Sequence, residues 1–375
     1  MRKGSNKTTN FWQNLPKPFF ALAPMANVTD SVFRKIIAKY GKPDVMWTEF
    51  VSADGLVSAG KKRLLVDLEY SEKERPIVAQ LFTGHPEAMK KAAELVAKMG
   101  FDGLDINMGC PDRSVEKQGG GAAMIKDFKK AVKVLKAARE GVAKGGIHAI
   151  PISVKTRLGY NKVDFDWIKI LLEQKLPALT VHLRTRKEMS NVAAHWELMP
   201  EIIKMRNEIS PETLIIGNGD VETLADGISK CEKYGCDGVM IGRGIFGTPW
   251  FFGPLKGMRS NKAMTQSSRS LRKDDENFRH LSKFTKGMSD GLLIEKSPTE
   301  RLKILLEHTK LFEKTYSSSP KLRGSSRGVK NFNVMKKHFK AYVSGWDGAK
   351  ELRAKLMETK NAKEVERVIK DIVHN

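Results

Sequence analysis

The sequence predicts an α/β protein built as a TIM-type (β/α)8 barrel, followed by a smaller all-helical domain. Three observations carry this. Eight short apolar runs alternate with amphipathic helical stretches across the first 255 residues. Beyond residue 279 the helical period continues with no strand-like run between the helices. Between these regimes, Gly257 to Glu276 is a Ser/Lys/Arg/Asn stretch with hardly any apolar residue, the composition of a linker or mobile loop. The expected organisation is a barrel at 1–255, a basic linker at 256–278 and a helical domain at 279–375.

Taken in order, the strand candidates are Phe19–Met25, Val45–Phe50, Ile77–Phe82, Gly103–Met108, Ile152–Leu158, Ala178–Leu183, Leu214–Gly219 and Gly238–Gly244. Helical stretches such as Pro86–Met99, Lys126–Ala143 and Glu222–Tyr234 stand between them. A strand that hands over to a helix returns to pair in parallel, and eight such units in about 230 residues match a barrel. The competing arrangement is an open, doubly wound sheet, but no G-x-G-x-x-G follows the first strand. In the tail, helices are expected at 279–293, 297–315, 329–344, 346–358 and 361–373, with Leu302, Leu305, Leu306, Leu311 and Phe312 at helix-face spacings. Tyr316 to Gly328 interrupts them as a basic loop.

Charge narrows the function. The chain has 375 residues, 66 Lys and Arg against 43 Asp and Glu, and a net charge of +23. Residues 256–375 hold 28 of the basic and 14 of the acidic residues, so most of the surplus lies in the smaller region. An excess of this size destabilises a compact state by self-repulsion and points to a polyanionic partner. Three cysteines are too few for a disulfide scaffold and fit a reducing compartment. No apolar run approaches the ~18 residues of a membrane span, and the opening Met-Arg-Lys-Gly-Ser has no apolar stretch behind its charges. The expectation is a cytoplasmic monomer with no membrane segment.

In a barrel, chemistry gathers at the C-terminal ends of the strands. There the sequence places Pro24-Met25-Ala26, Gln80, Asn107 and Cys110, Lys155, His182, Arg184 and Arg186, Asn218-Gly219-Asp220 and Gly242-Arg243-Gly244. Glycine turns after strands 7 and 8, with an arginine beside one, are where barrels often hold a phosphate, because backbone N–H groups can approach the anion. Gly119-Gly120-Gly121 lacks a following Gly-Lys-Ser/Thr, so it is not a nucleotide loop; a flexible active-site loop is expected. A lysine and a histidine beside a phosphate site suit a flavin, whose reduced ring is anionic and needs positive charge or donors at its pyrimidine edge. A metal is not expected, since neither H-x-H, H-E-x-x-H nor C-x-x-C spacing occurs. Cys231 and Cys236 read as packing residues. Cys110, in a Gly-Cys-Pro turn at a strand end, could act as nucleophile or as acid, and its residue type leaves both open.

These residues also resemble a known family. Leu104-Asp-Ile-Asn-Met-Gly-Cys-Pro111, with Val115 and Gly121-Ala122, is similar to the signature of the tRNA-dihydrouridine synthases. Ala23–Arg34, Thr48-Glu49, Gln80, Lys155-Thr-Arg157, His182–Arg186, Asn218–Asp220 and Gly242–Gly244 match in the right order, and Lys336-Lys-His338, Tyr342, Gly345 and Leu352-Arg353 continue the match in the tail. Asn27, Leu183 and Thr248 depart from it: glycine is usual at the first two and asparagine at the third. The resemblance implies FMN on the barrel rim, NADPH (or NADH) as reductant, and uracil in tRNA as hydride acceptor. It implies that Pro24, Met25 and Ala26 line the ring, and that Gln80, Lys155 and His182 contact its polar edge. Asn107 would position flavin or uracil. Asn218, Gly219, Asp220, Gly242 and Arg243 would hold the ribityl phosphate. Cys110 would donate the proton, and Arg184 and Arg186 would contact uracil oxygen or RNA phosphate. Two alternatives remain: an FMN barrel acting on a free pyrimidine such as dihydroorotate, and an RNA-binding protein whose barrel has lost catalysis.

Overall fold

The structure, a computed structural model, describes residues 10–146, 149–260, 294–316 and 330–373. All eight expected strands form: β1 (Phe19–Leu22), β2 (Met46–Ser52), β3 (Ile77–Phe82), β4 (Gly103–Met108), β5 (Ile152–Arg157), β6 (Ala178–His182), β7 (Leu214–Asn218) and β8 (Gly238–Ile241). They pair in parallel in the order β1-β8-β7-β6-β5-β4-β3-β2. A parallel bridge from Ala21 to Val45 joins β1 to the start of β2 and closes the ring. The (β/α)8 prediction holds, and strands 1 and 8 end earlier than expected. Ala23 N still donates to Ile241 O, but the next residue, Pro24, has no N–H to continue the ladder.

Several barrel helices start where the sequence supplies an acceptor. Asp30 accepts from the amides of Val32 and Phe33 to open Ser31–Tyr40, Asp127 caps Phe128–Gly145, and Thr223 caps Leu224–Tyr234. Each satisfies N–H groups that have no partner inside the helix.

The barrel interior changes character along its axis. At the N-terminal end it is apolar: Trp12, Phe19, Val45, Trp47, Val78, Ile216 and Met240 pack as one buried cluster, with Trp12 tilted against Trp47 at 5.8 Å. Toward the C-terminal end, alternate strand positions become polar, and Gln80, Asp105, Asn107, Ser153, Thr180 and Asn218 are all buried. Since alternate residues of a strand share one face, these polar groups line one interior.

The tail helices run Pro298–Tyr316, Met335–Tyr342, Ala349–Glu358 and Ala362–Val373, close to the expected spans. They are bound firmly to the barrel. Phe33 stacks on His308 at 5.1 Å, Ser31 and Tyr316 share a hydrogen bond of 3.1 Å, and Tyr40 donates to Glu307 at 2.6 Å. One hydrophobic cluster contains residues of both regions, among them Phe33, Ile245, Leu305, Phe312 and Phe339. The expected linker begins as a short helix, Leu255–Ser260. Its remainder, the expected helix at 279–293 and most of the loop at 316–328 lie outside the described residues. Among the described residues, no helix is long and apolar enough to cross a membrane.

Candidate active site at the barrel rim

A cavity of about 670 Å³ opens at the C-terminal ends of the strands. It is lined by Pro24, Met25, Gln80, Asn107, Cys110, Lys155, Arg157, His182, Arg184, Asn218, Gly219, Asp220, Gly242 and Arg243. The structure thus brings together nearly all residues singled out from the sequence. Ala26 is exposed beside it and Arg186 stands outside its lining.

Cys110 is held by its backbone. Its N–H donates to Asn107 Oδ1 at 2.9 Å, and the N–H of Gly109 donates to the same oxygen at 3.1 Å. The carbonyl of Gly109 accepts from Arg157 Nε at 2.8 Å, and that of Cys110 accepts from the Ala122 amide at 2.9 Å. The glycine triplet, expected as a flexible loop, is instead part of this clasp. Gly121 has φ 57°, and a Cβ there would lie 2.6 Å from the Cys110 carbonyl oxygen, so only glycine lets the segment close on the cysteine. Burial pushes the thiol up from its ordinary pKa, and nearby Lys155 and Arg157 oppose this only in part. At neutral pH the group carries its proton.

Lys155 projects from the middle of β5. No hydrogen bond or ion pair engages its ammonium among the described residues, and burial, then Arg157, pulls its pKa down to about 8. An ammonium left unpaired on a cavity wall is a site for an anion or an acceptor. Next to it, His182 is held neutral: burial first, then Lys155, Arg157 and Arg184, drives its pKa far below the ordinary value. Arg184 Nη1 lies 3.1 Å from His182 Nε2. An arginine only donates, so Nε2 is the acceptor and the ring proton sits on Nδ1.

Arg184 is folded inward, with Nε on the Val192 carbonyl at 2.7 Å and Nη2 on Asp220. Asp220 also accepts from Arg243 Nη2 at 2.8 Å and from the Ala194 amide. The carboxylate therefore orients two guanidiniums, leaving Arg243, two-thirds exposed, with donors toward the cavity mouth. Gly219 has φ 127°, and a Cβ would come within 2.8 Å of Ala194. Arg186 forms a two-pronged pair with Glu116, just past the Cys110 turn. Asn218 donates to Met240 O at 2.8 Å, leaving its oxygen toward the cavity.

The residues present fit a flavin mononucleotide: a bare glycine turn with Arg243 for a phosphate, an unpaired ammonium and a neutral imidazole for a polar ring edge, and Pro24 with Met25 as an apolar wall. Among the described residues, no group of three or more His, Cys, Asp or Glu is placed to hold a metal.

Sequence reasoning passed over Asp105, Ser153 and Arg157 as individual actors. The signal was present, since polar residues at every second position of otherwise apolar strands mark a polar lumen. Of the three departures, Asn27 is explained: its φ is 55°, a left-handed conformation where glycine is easiest and asparagine tolerated. Leu183 is fully buried and Thr248 Oγ1 donates to the Gly244 carbonyl at 2.7 Å, so neither side chain faces the cavity.

Comparison with known proteins gives a consistent answer. Residues 21–310 match the family described as Dihydrouridine synthase (Dus). A Bacillus subtilis protein named "Probable tRNA-dihydrouridine synthase 2" is 38% identical over 97% of this chain and 97% of its own length. Proteins named "Probable tRNA-dihydrouridine synthase" from Staphylococcus aureus and Staphylococcus epidermidis are each 38% identical, over 95% and 96% of this chain and 93% and 95% of theirs.

Proposed function

This chain belongs to the dihydrouridine synthase family, and we propose that it reduces the C5–C6 double bond of uridines in tRNA to dihydrouridine, using FMN and NADPH. The carrying observation is the convergence on one cavity of an unpaired Lys155 ammonium, a neutral His182, a glycine-lined phosphate turn and a protonated, backbone-clamped Cys110. Bound there, FMN supplies hydride transfer to uracil C6.

The protein's own groups do the rest. Gln80, Lys155 and His182, which line the cavity, would hold the flavin's polar edge. Asn218, Gly219, Gly242 and Arg243 hold its phosphate, with Asp220 aiming Arg243 rather than meeting the anion, since two like charges repel. Cys110 Sγ–H gives its proton to uracil C5, where carbanion character develops. A thiol raised by burial keeps that proton until it is needed. Arg184 acts through His182, fixing which ring nitrogen is protonated. Arg186 braces the Cys110 turn through Glu116 and leaves a cationic edge for RNA.

The tail supplies much of the positive surplus that a phosphate backbone requires. The uracil has to leave its stack to enter the cavity, at a cost of a few kcal/mol that tRNA contacts offset. A cytoplasmic location and a monomeric state belong to the same reading. A small free pyrimidine would need no such charged surface.

The test is anaerobic. The purified protein is expected to be yellow, to be bleached by NADPH, and to recover its colour when mixed with a tRNA transcript but not with free uridine. Absence of flavin, or recovery with free uridine as fast as with tRNA, would overturn the proposal.

A further inference from the structure

We propose that Asp105, inside the barrel, is a positioning residue whose carboxylate sets the direction of a side-chain relay through Gln80 and Asn107 that holds the backbone of Cys110. The inference rests on the reading of Cys110 as proton donor.

A carboxylate only accepts. Asp105 Oδ1 accepts from Ser153 Oγ at 2.5 Å, and Oδ2 accepts from Gln80 Nε2 at 2.6 Å. With its NH2 end turned to Asp105, Gln80 presents Oε1 to Asn107, whose Nδ2 donates at 3.0 Å. With its own NH2 end so engaged, Asn107 presents Oδ1 to the loop, where it accepts from both Gly109 and Cys110. The three side chains are buried, Asp105 and Gln80 completely. An amide reads the same from either end, so Gln80 and Asn107 alone could stand either way round. Reversed, Asn107 would aim a donor at two donors. The acid end removes that choice.

Strand register makes the relay possible. Gln80 of β3 stands level with Asp105 of β4, and Asn107 is the next inward-facing residue of β4. The position is costly for an acid. Burial raises the Asp105 carboxyl to about 6 against hydrogen bonds from Ser153 and Gln80 and the nearby charge of Lys155, and no ion pair is formed with it among the described residues. A residue needed only to fill space or to satisfy Ser153 would not have to be an acid.

Two variants of the flavin-loaded protein decide the matter. Asp105→Ala removes the acceptor and frees both amides. Reoxidation of the reduced protein by tRNA should slow by roughly 10–100-fold, as for a misplaced catalytic group, while NADPH still bleaches the flavin. Alkylation of Cys110 by iodoacetamide in the folded protein should change several-fold, a readout independent of turnover. Asp105→Asn should recover only part of this loss, because an amide at 105 can offer Gln80 either its oxygen or its NH2 and so no longer forces the direction. Asp105→Ala matching wild type in tRNA reoxidation and alkylation would overturn the relay. So would Asp105→Asn matching wild type in both readouts, since an acid would then not be needed to set the direction. Should the alanine variant not fold, the asparagine variant decides alone by the same two readouts. Cys110→Ala is the control in the tRNA assay. Wild-type reoxidation there would sink the proton-donor reading, while the alkylation result still judges the relay.

Discussion

Lys155 on the rim and Lys330 in the seam between barrel and tail are both half-buried lysines with opposite surroundings. Lys330 Nζ pairs with Glu49 and with Asp67, the latter at 2.9 Å. Burial would lower its pKa, but Glu49, Asp67 and Asp30 together raise it well above the ordinary lysine value. Glu49 in turn accepts from the Asn27 amide, so the pair ties the tail to the turn after β1. Lys155 forms no ion pair among the described residues, and burial pulls its pKa down to about 8 against the more distant charge of Asp105. The same side chain is a joint where its charge is answered by the protein, and a binding group where it is left for something else. The seam's buried histidines join the two regions by packing instead, and neither ring nitrogen of His338 has a hydrogen-bond partner among the described residues. His308 and His338 are packed among Phe33, Phe246 and Tyr342 rather than opening on a cavity.

The largest effect expected from that difference lies on the rim. Cys110→Ala should lower dihydrouridine formation by about 10²–10⁴-fold, the span typical of general acids, with the unfolding midpoint unchanged. The comparison of lysines comes next. Lys330→Met leaves two carboxylates uncompensated and should cost about 3–5 kcal/mol of stability in denaturant melts. Lys155→Met should leave stability equal or higher, yet weaken FMN binding by about 1.5–3 kcal/mol, the worth of a charged hydrogen bond. If both variants lost stability alike and kept FMN alike, the distinction between joint and site would collapse.

A smaller effect sharpens the seam. Burial, with Lys337 adding to it, holds the His338 pKa down to about 3, and burial with the charge of His338 lowers that of His308 as well. The folded protein therefore binds fewer protons than the unfolded chain below about pH 6.5. The stability from these neutral rings is complete above that pH and is lost as pH falls toward 3. Asp105 and Glu49, raised by burial to about 6 and about 7, contribute the opposite slope, so the useful quantity is a difference. The thermal midpoint of His338→Leu should fall less than that of wild type between pH 7 and pH 4.5; parallel decline would remove the histidines from the account.

Cys231→Ala or Cys236→Ala should have the smallest effect. Their sulfurs lie 3.5 Å apart, both buried and away from the cavity, so turnover should stay within about twofold of wild type while stability drops by roughly 1 kcal/mol.

Much of this was legible in the sequence, for identifiable reasons. The strands announced themselves because parallel barrel strands are short apolar runs punctuated by helices, and the ends of β1 and β8 were overrun most, at Pro24 and Gly242 where the ladder stops. The rim residues were legible because barrel chemistry sits at strand ends. What escaped depends on contacts between distant segments. Nothing around Arg184 announces that it folds back onto His182 and Asp220, and Gly119–Gly121 looks loose until the Cys110 carbonyl is seen against it. The tail reads as a separable domain by composition. Its attachment through Phe33–His308, Ser31–Tyr316 and Lys330–Glu49 spans more than 270 residues of sequence and appears only when the chain is folded.

The most direct measurement is nucleoside mass spectrometry of a tRNA transcript incubated with the purified protein, FMN and NADPH. Dihydrouridine is expected at defined positions with the wild-type protein, and almost none with Cys110→Ala although that variant remains yellow and still oxidises NADPH. Undiminished dihydrouridine from Cys110→Ala, or none from the flavin-loaded wild-type protein, would contradict the proposed reaction.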